Sequence, residues 1–415
     1  MNRRHTHAVL VAVMALALLL AAPHIVGEGL RGLLGKMLIA ALFATAYSLM
    51  SGQAGLLSFG HAAFFGLGAI VTMHAMLLAQ DGRGALPSVL LPLAGAAAGA
   101  LCAAVAGAIS SRRVGSYFTL ITLAFAELVH ILAIQWKGFF GGEAGLTSMR
   151  MPWAGFNFAS TMQVYHAVLF WTVLGILACW CFTRTGFGRV AAGIRENEER
   201  VSFLGFNTYL SKIIVFVISG FMSGLAGGLL AFSNESATYT LFSPLISLEV
   251  VFQVFIGGTA LFLGPAFAAA ALTLLPYALG DYTRLWPLYQ GVLFMALMYF
   301  APGGVSGFLK GRSWSGLSGT ERARASRGVL VAVVIGVALV AAAETTRWIV
   351  EAPQKAASLF ERLGAVALAT WPATAQLALV WGVFALIAAA ALMAAARRTM
   401  DHASRQGAVG TGVAA

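Results

Sequence analysis

The chain has 415 residues, of which 60% are hydrophobic and only 10% charged, with a formal net charge of +11. Soluble domains run nearer half apolar and a quarter charged. The composition therefore excludes a soluble globular enzyme, a disordered chain and a nucleic-acid binder, and it predicts an all-α, polytopic helical membrane protein.

Apolar runs of roughly 15–25 residues read as spans. In chain order they cover 9–26, 33–50, 59–79, 89–109, 117–135, 164–182, 213–232, 245–262, 265–279, 285–299, 329–343 and 376–396. That gives about ten core spans and two extra spans near the C-terminus. The runs at 265–279, 285–299 and 329–343 are short, as tilted or re-entrant segments are. The first run follows Met1–His7 and also resembles a secretory signal peptide. Because another span follows at once, it is taken as an uncleaved span with a cytoplasmic N-terminus.

This orientation accounts for the positive charge, since Lys and Arg stay on the cytoplasmic side. The inner segments then hold Arg3 and Arg4; Arg112 and Arg113; Arg184, Arg189, Arg195, Arg200 and Lys212; Lys310, Arg312, Arg322, Arg324 and Arg327; and Arg397, Arg398 and Arg405. They amount to 17 of the 26 basic residues.

The three cysteines, Cys102, Cys179 and Cys181, are too few and too apolar in setting for a disulfide framework and read as packing residues. There is no CxxC or HExxH pattern, so no metal site is expected. Asp81, Asp281 and Asp401 lie outside the spans, and Ser58 and His61 lack a third partner, so no catalytic set is expected. A P-loop needs GxxxxGK followed by Ser or Thr. Lys36, Lys137, Lys212, Lys310 and Lys355 are followed by Met, Gly, Ile, Gly and Ala. Any ATP used on this protein's behalf must be bound elsewhere.

Small residues recur every four positions at Gly220, Gly224 and Gly228, and at Gly95, Gly99, Ala103 and Gly107. This spacing lets helix backbones approach closely. Glycine breaks precede small-residue runs in GLLSFGHAAF (55–64) and TALFLGPAFA (259–268). Paired interruptions of this kind mark inverted repeats in transporters.

A charged side chain at a span centre costs about 2.5–3.5 kcal/mol, so it usually faces protein or water. Glu127, with His130 three residues on, and Glu249, with Gln253 four residues on, are in-span carboxylates. Gln53 and His61 flank the broken GQAGLLSFGH segment. These four residues are candidates for a translocation path. The alternative is that the two Glu pairs are hydrogen-bonded ties between or within helices.

The longest inner loop, 183–211, carries a stretch in which Val190, Ile194, Val201 and Leu204 fall at helical spacing. Arg195 with Glu199, and Glu196 with Arg200, make i,i+4 opposite-charge pairs. Gly188 opens the stretch and Gly205 can close it. Such a helix is a solvated loop, a membrane-surface element or a docking element for a partner groove.

The stretch GFGRVAAGIRENEERVSFLGFN resembles the cytoplasmic loop of the branched-chain amino acid ABC transporter permeases of the LivM-like type. SGQAGLLSFGHAAFFGLGA, YFTLITLAFAELVHIL, GGEAGLT, FVISGFMSGLAGGLLAF, SLEVVFQVFIGGTALFLGP and APGGVSGFL resemble further signatures of that family, in order, across 33–309.

The resemblance implies a transmembrane permease subunit of the bacterial inner (plasma) membrane. It would not be an enzyme and would hold no cofactor, because ATP and Mg are bound by partner subunits. The implied partners are two ATPase subunits, a second related permease subunit, an extracytoplasmic solute-binding protein and the lipid bilayer. The coupling helix that docks in the ATPase would be the stretch holding Gly188, Ile194, Arg195, Glu196, Asn197, Glu198, Glu199, Arg200 and Gly205.

The implied solutes are branched-chain or other apolar amino acids, with urea, short amides or aromatic acids as alternatives. A proton-coupled secondary transporter using Glu127 and Glu249 is the rival from another class. The resemblance stops after about residue 312. The expected organisation is a permease core at 1–312, a basic linker at 313–327, a two-span extension at 328–396 and a polar cytoplasmic tail at 397–415.

Overall fold

A computed structural model describes residues 16–82, 87–113, 115–152, 160–279, 286–300 and 303–309, together with Met14, Phe158, Ala343, Thr346, Trp381 and Val383. The expected spans at 329–343 and 376–396, the linker and the tail lie outside the described residues, apart from those isolated positions. The chain forms two compact units, Met1–Tyr277 and Ala278–Ala415.

The described structure is helical. In the first unit the elements are α1 (Leu16–Ile25), α2 (Glu28–Ser48), α3 (His61–Gln80), α4 (Leu91–Ser110), α5 (Ser116–Gln135), α6 (Lys137–Phe140), α7 (Thr161–Arg184), α8 (Gly186–Glu196), α9 (Glu198–Phe203), α10 (Thr208–Asn234) and α11 (Pro244–Gly257). Helix α12 (Gly264–Leu279) crosses the boundary between the units. Helices α13 (Trp286–Phe300) and α14 (Gly304–Leu309) belong to the second. A two-stranded ribbon pairs β1 (Leu146–Thr147) with β2 (Ser236–Ala237) antiparallel, Leu146 opposite Ala237.

Among the described residues, six helices are long and apolar enough to cross a membrane: Glu28–Gln53, His61–Gln80, Ser88–Ser110, Ser116–Gln135, Thr161–Arg184 and Thr208–Asn234. The first includes a π-helical turn, Leu49–Gln53, that prolongs α2 beyond the expected end at residue 50. At α10, 27 residues correspond to about 40 Å of helix, enough to span with tilt. Helix α5 shows how the sequence serves two apolar environments at once. Phe118, Thr122, Ala126, Val129 and Ala133 form its buried stripe, while Leu120, Leu128 and Ile131 point outward.

The core is centred on α3, α4 and α10, and glycine decides its geometry. A Cβ at Gly224 would lie 2.6 Å from the Gly95 carbonyl oxygen and 2.9 Å from the Gly99 Cα. One at Gly99 would lie 2.7 Å from the Gly224 Cα. One at Gly68 would run into the Gly224 backbone, and one at Gly227 into the Phe65 carbonyl. The two four-residue periodicities in the sequence thus face each other, backbone against backbone, as small-residue helix packing requires.

The expected span 245–262 does not run through. Helix α11 ends at Gly257, Gly258 takes φ +71°, and α12 begins only at Gly264. The other glycine break behaves alike, for no regular helix covers 54–60 between the π turn and α3. Both interruptions read in the sequence are real breaks in the fold.

Candidate functional site

The break at 54–60 is largely buried apart from Gly55, so most of its backbone polar groups need partners from the protein. Two come from side chains on α5, and a third bond ties the first turn of α3 to α11. The Phe59 N–H donates to Thr122 Oγ1 (3.2 Å), Thr119 Oγ1 donates to the Leu57 carbonyl (2.9 Å), and the Ala62 N–H donates to Ser247 Oγ (2.9 Å). Helices α5 and α11 therefore hold the irregular segment in place. Within it Gly55 has φ +70°.

His61 opens α3 and is fully buried. The Ser219 hydroxyl donates to the Ala46 carbonyl (2.7 Å), so it must accept from His61 Nε2 (2.9 Å). This fixes the proton of the neutral ring on Nε2. The bond ties α3, α10 and α2 at one point, and the Tyr47 ring lies edge-on 4.7 Å away. Nδ1 has no hydrogen-bond partner among the described residues.

The loop between α7 and α10 forms two helices where one was expected. Thr185 caps α8 by accepting from the Gly188 N–H at 3.2 Å. A Cβ at Gly188 would collide with the Phe182 carbonyl, so glycine permits the tight turn out of α7. Asn197 is extended (φ −162°, ψ 106°) and breaks the run. Its side-chain oxygen accepts from the Arg200 N–H (2.9 Å) and caps α9, whose first turn carries Glu198 and Glu199. The Asn-Glu-Glu order is a helix-start signature and satisfies the dipole. The hydrophobic periodicity across 190–204 hid it.

The expected pairs Arg195–Glu199 and Glu196–Arg200 straddle this break. Glu198 instead meets Lys212 Nζ at 2.5 Å. Ile194 and Val201 are buried as the stripe predicted, but Leu204 lies past the end of α9 and is 71% exposed. Gly205 takes φ +86° and closes α9, with Phe206 N–H reaching back to the Val201 carbonyl (3.4 Å).

The loop and the first break meet. Arg195 Nη1 donates to the Gly52 carbonyl, and a Cβ at Gly55 would lie 2.9 Å from Arg195 Cγ. The second break joins them, since a Cβ at Gly52 would lie 3.0 Å from Thr259 Cγ2. A cleft of about 310 Å³ lies between, lined by Gly52, Gln53, Ala192, Arg195, Glu196 and Thr259. The structure thus brings Gln53 together with Arg195 and Glu196, and places His61 at the far end of the same break.

It does not bring Glu127 there. Glu127 is 51% exposed on the outer face of α5, with His130 Nδ1 at 3.4 Å. Glu249 is partly buried on α11 and accepts from Gln253 Nε2 at 3.3 Å. Both carboxylates contact a side chain of their own helix. Thr119, Thr122, Ser219 and Ser247 were not picked out from the sequence, although they hold the break. Among the described residues, no group of three or more His, Cys, Asp or Glu side chains comes together as a metal would require.

The family model described as the branched-chain amino acid transport system / permease component matches residues 29–302. The chain belongs to that family. It is therefore a multi-pass membrane permease component of a transport system, not itself an enzyme. The high-affinity branched-chain amino acid transport system permease protein LivM of Escherichia coli K12 is 26% identical over 324 residues, covering 71% of this chain and 74% of LivM. The fructose import permease protein FrcC of Rhizobium meliloti is 25% identical over 203 residues, 48% of this chain and 56% of FrcC. The xylose transport system permease protein XylH of Escherichia coli K12 is 33% identical over 105 residues, 25% of this chain and 26% of XylH. No solved structure matches the chain.

Proposed function

We propose that this chain is a transmembrane subunit of an ATP-driven importer for branched-chain or other apolar amino acids, and that α8–α9 receives motion from an ATPase. A second related permease subunit and two ATPase subunits complete the complex, and an extracytoplasmic binding protein delivers solute. The N-terminus and the loop lie on the cytoplasmic side, in keeping with Arg184, Arg189, Arg195, Arg200 and Lys212 around the loop.

The observation that carries the reading is the contact of Arg195 with the Gly52–Gly55 turn. A push on α8 reaches the broken segment through that side chain, and the break leads to His61 in the bundle core. Outward, Phe203 (90% exposed), Leu204 and Phe206 present apolar surface beside Glu199 and Arg200. An apolar patch with charged neighbours suits a specific protein groove. Gly188 and Gly205 set the ends of this lever. Gln53 and His61 lie along the transmission route, whereas Glu127 and Glu249 act as helix ties.

LivM, matched over most of its length, supports the choice of solute, and the shorter matches to FrcC and XylH make sugars the competitors to exclude. The test is reconstitution of the complex in liposomes, with ATP-dependent uptake of labelled leucine, isoleucine and valine set against fructose, xylose and urea. Amino-acid uptake that needs ATP and the binding protein is expected, with no flux through this chain alone. Uptake of sugar or urea without leucine overturns the solute. Flux from the solitary chain, or uptake driven by a proton gradient without ATP, overturns the coupling.

A further inference from the structure

The end of the bundle away from α8–α9 holds a second cavity of about 310 Å³, between the starts of α2 and α7 and the end of α10. One charge there is unexplained. Lys36 lies eight residues into α2, about 12 Å along a membrane-crossing helix, and lines the cavity. It has no carboxylate or hydrogen-bond partner among the described residues. Arg150, also in the lining, is already committed. Its Nε donates to the Phe158 carbonyl (2.9 Å) and meets Glu235 Oε1 at 3.3 Å, and its Nη1 donates to the Phe232 and Ser233 carbonyls (3.0 and 2.8 Å). Burial pushes the Arg150 pKa down and Glu235 opposes the shift, and the guanidinium and the Glu235 carboxylate cancel in charge as an ion pair.

Among the described residues, the net charge of the cavity is thus the Lys36 ammonium, and no acidic side chain lines it. Lys36 is exposed, so water or an anion can reach its ammonium, as an unpaired charge at this depth requires. The rest of the lining is mixed. Thr161, Asn234 and Tyr277 offer neutral hydrogen-bonding groups, Leu33 and Val164 an apolar wall, and Gly29 and Gly32 an open floor. A Cβ at Gly32 would meet nothing within 4 Å. The volume lies at the low end of small-molecule sites, about 300–1,000 Å³.

We infer that this cavity is a weak way-station for the solute, in which Lys36 pairs with the carboxylate of an amino acid whose apolar side chain lies along Leu33 and Val164. The inference rests on the amino-acid reading above and adds the subsite that senses the carboxylate. One unpaired cation among neutral groups gives recognition without tight binding, as a transit site needs.

The test uses the full complex in liposomes. Lys36→Met and Lys36→Cys should each lower leucine uptake about tenfold, the size of a lost charge-assisted bond. Treating Lys36→Cys with 2-aminoethyl methanethiosulfonate, which restores an ammonium, should recover most of the uptake, and the neutral methyl reagent should not. Untreated and treated wild-type complex control for Cys102, Cys179 and Cys181. Leucine should slow reductive release of the attached aminoethyl group at least threefold, and leucinol, which lacks the carboxylate, should not.

Equal rescue by the neutral reagent, equal protection by leucinol, or unchanged uptake by Lys36→Met overturns the inference alone. Protection by phosphatidylglycerol in place of leucine makes the cavity a lipid-headgroup site and overturns it too. A wild-type complex that takes up no amino acid overturns the solute reading, and this inference falls with it.

Discussion

The α3–α4–α10 core and the α8–α9 end are held by opposite means. In the core, glycines on facing helices leave no room for a methyl group, and contact is backbone on backbone. At the loop end a small apolar contact through Ile194 and Val201 is supplemented by single polar bonds: Arg195 to Gly52, Glu198 to Lys212, Thr185, Asn197 and Asn207 to their helix starts. Interlocked backbones move as one body, because close-packed interfaces are not continuously deformable. Polar joints a few atoms wide can rearrange at small cost. The difference separates a part that keeps its shape from a part that can transmit a displacement.

The sharpest way to break the contrast is to add bulk to the core. Gly224→Leu puts a side chain into the Gly95 and Gly99 backbone, where neither neighbour can retreat. Overpacking costs about 1–3 kcal/mol, occasionally more, when side chains must give way, and here the obstacle is backbone. We expect loss of folded protein, read as aggregation on size-exclusion chromatography after extraction. The same change at Gly32, where a Cβ meets nothing, should leave the elution profile intact. Equal tolerance at both positions would mean that α4 and α10 do not touch as described.

Next in size is the Glu198–Lys212 pair. Lys212 is 2% exposed, so removing its partner leaves a buried charge alone, and such losses run to about 3–5 kcal/mol. Glu198→Gln should therefore lower the thermal midpoint of the purified chain, and Glu198→Lys should do so further. Glu199 is exposed and has no such partner among the described residues, so Glu199→Lys should leave the midpoint unchanged but weaken co-purification with the ATPase. The two adjacent glutamates are thereby separated into an internal tie and an outward contact. A shared phenotype for both would remove the distinction.

Adjacent glutamates with different tasks show where sequence reading stops. The helical, membrane-spanning character was legible because composition alone decides solubility in a bilayer, and the glycine periodicities because close approach admits little else. The Asn197 break was also legible, since Asn before Glu-Glu is a start signal, but an apolar stripe running across it argued for one helix. The face on which Glu127 lies was not. In a span both faces are apolar, so periodicity cannot separate core from lipid, and Glu127 turned out to point outward. Nor could Thr119, Thr122, Ser219 and Ser247 be found. Whether a hydroxyl bonds its own helix or another segment's broken backbone is settled by tertiary packing alone.

Those hydroxyls give a smaller effect that tests the core from inside. Ser219→Ala removes both the acceptor for His61 Nε2 and the bond to the Ala46 carbonyl. A buried donor left unpaired costs about 1–3 kcal/mol. The thermal midpoint should fall by a few degrees, and the double variant His61→Phe with Ser219→Ala should recover part of the loss, because both polar partners are then gone. Additive losses in the double variant would show that the two side chains do not interact.

The smallest expected change is at Gly205, and it bears most directly on the loop as a lever. The residue is exposed, nothing lies within 4 Å of its would-be Cβ, and only its φ of +86° favours glycine. Gly205→Ala thus adds no clash and costs about 1–2 kcal/mol of backbone strain, confined to the end of α9. If α8–α9 only caps the bundle, that strain should appear as a slight drop in thermal midpoint and nothing else. If the loop carries motion, loosening its C-terminal stop should reduce uptake per ATP hydrolysed while ATPase binding persists. A lowered ratio of transport to hydrolysis, with assembly intact, is the expected result. An unchanged ratio would confine Gly205 to helix termination and leave Arg195 as the point of transmission.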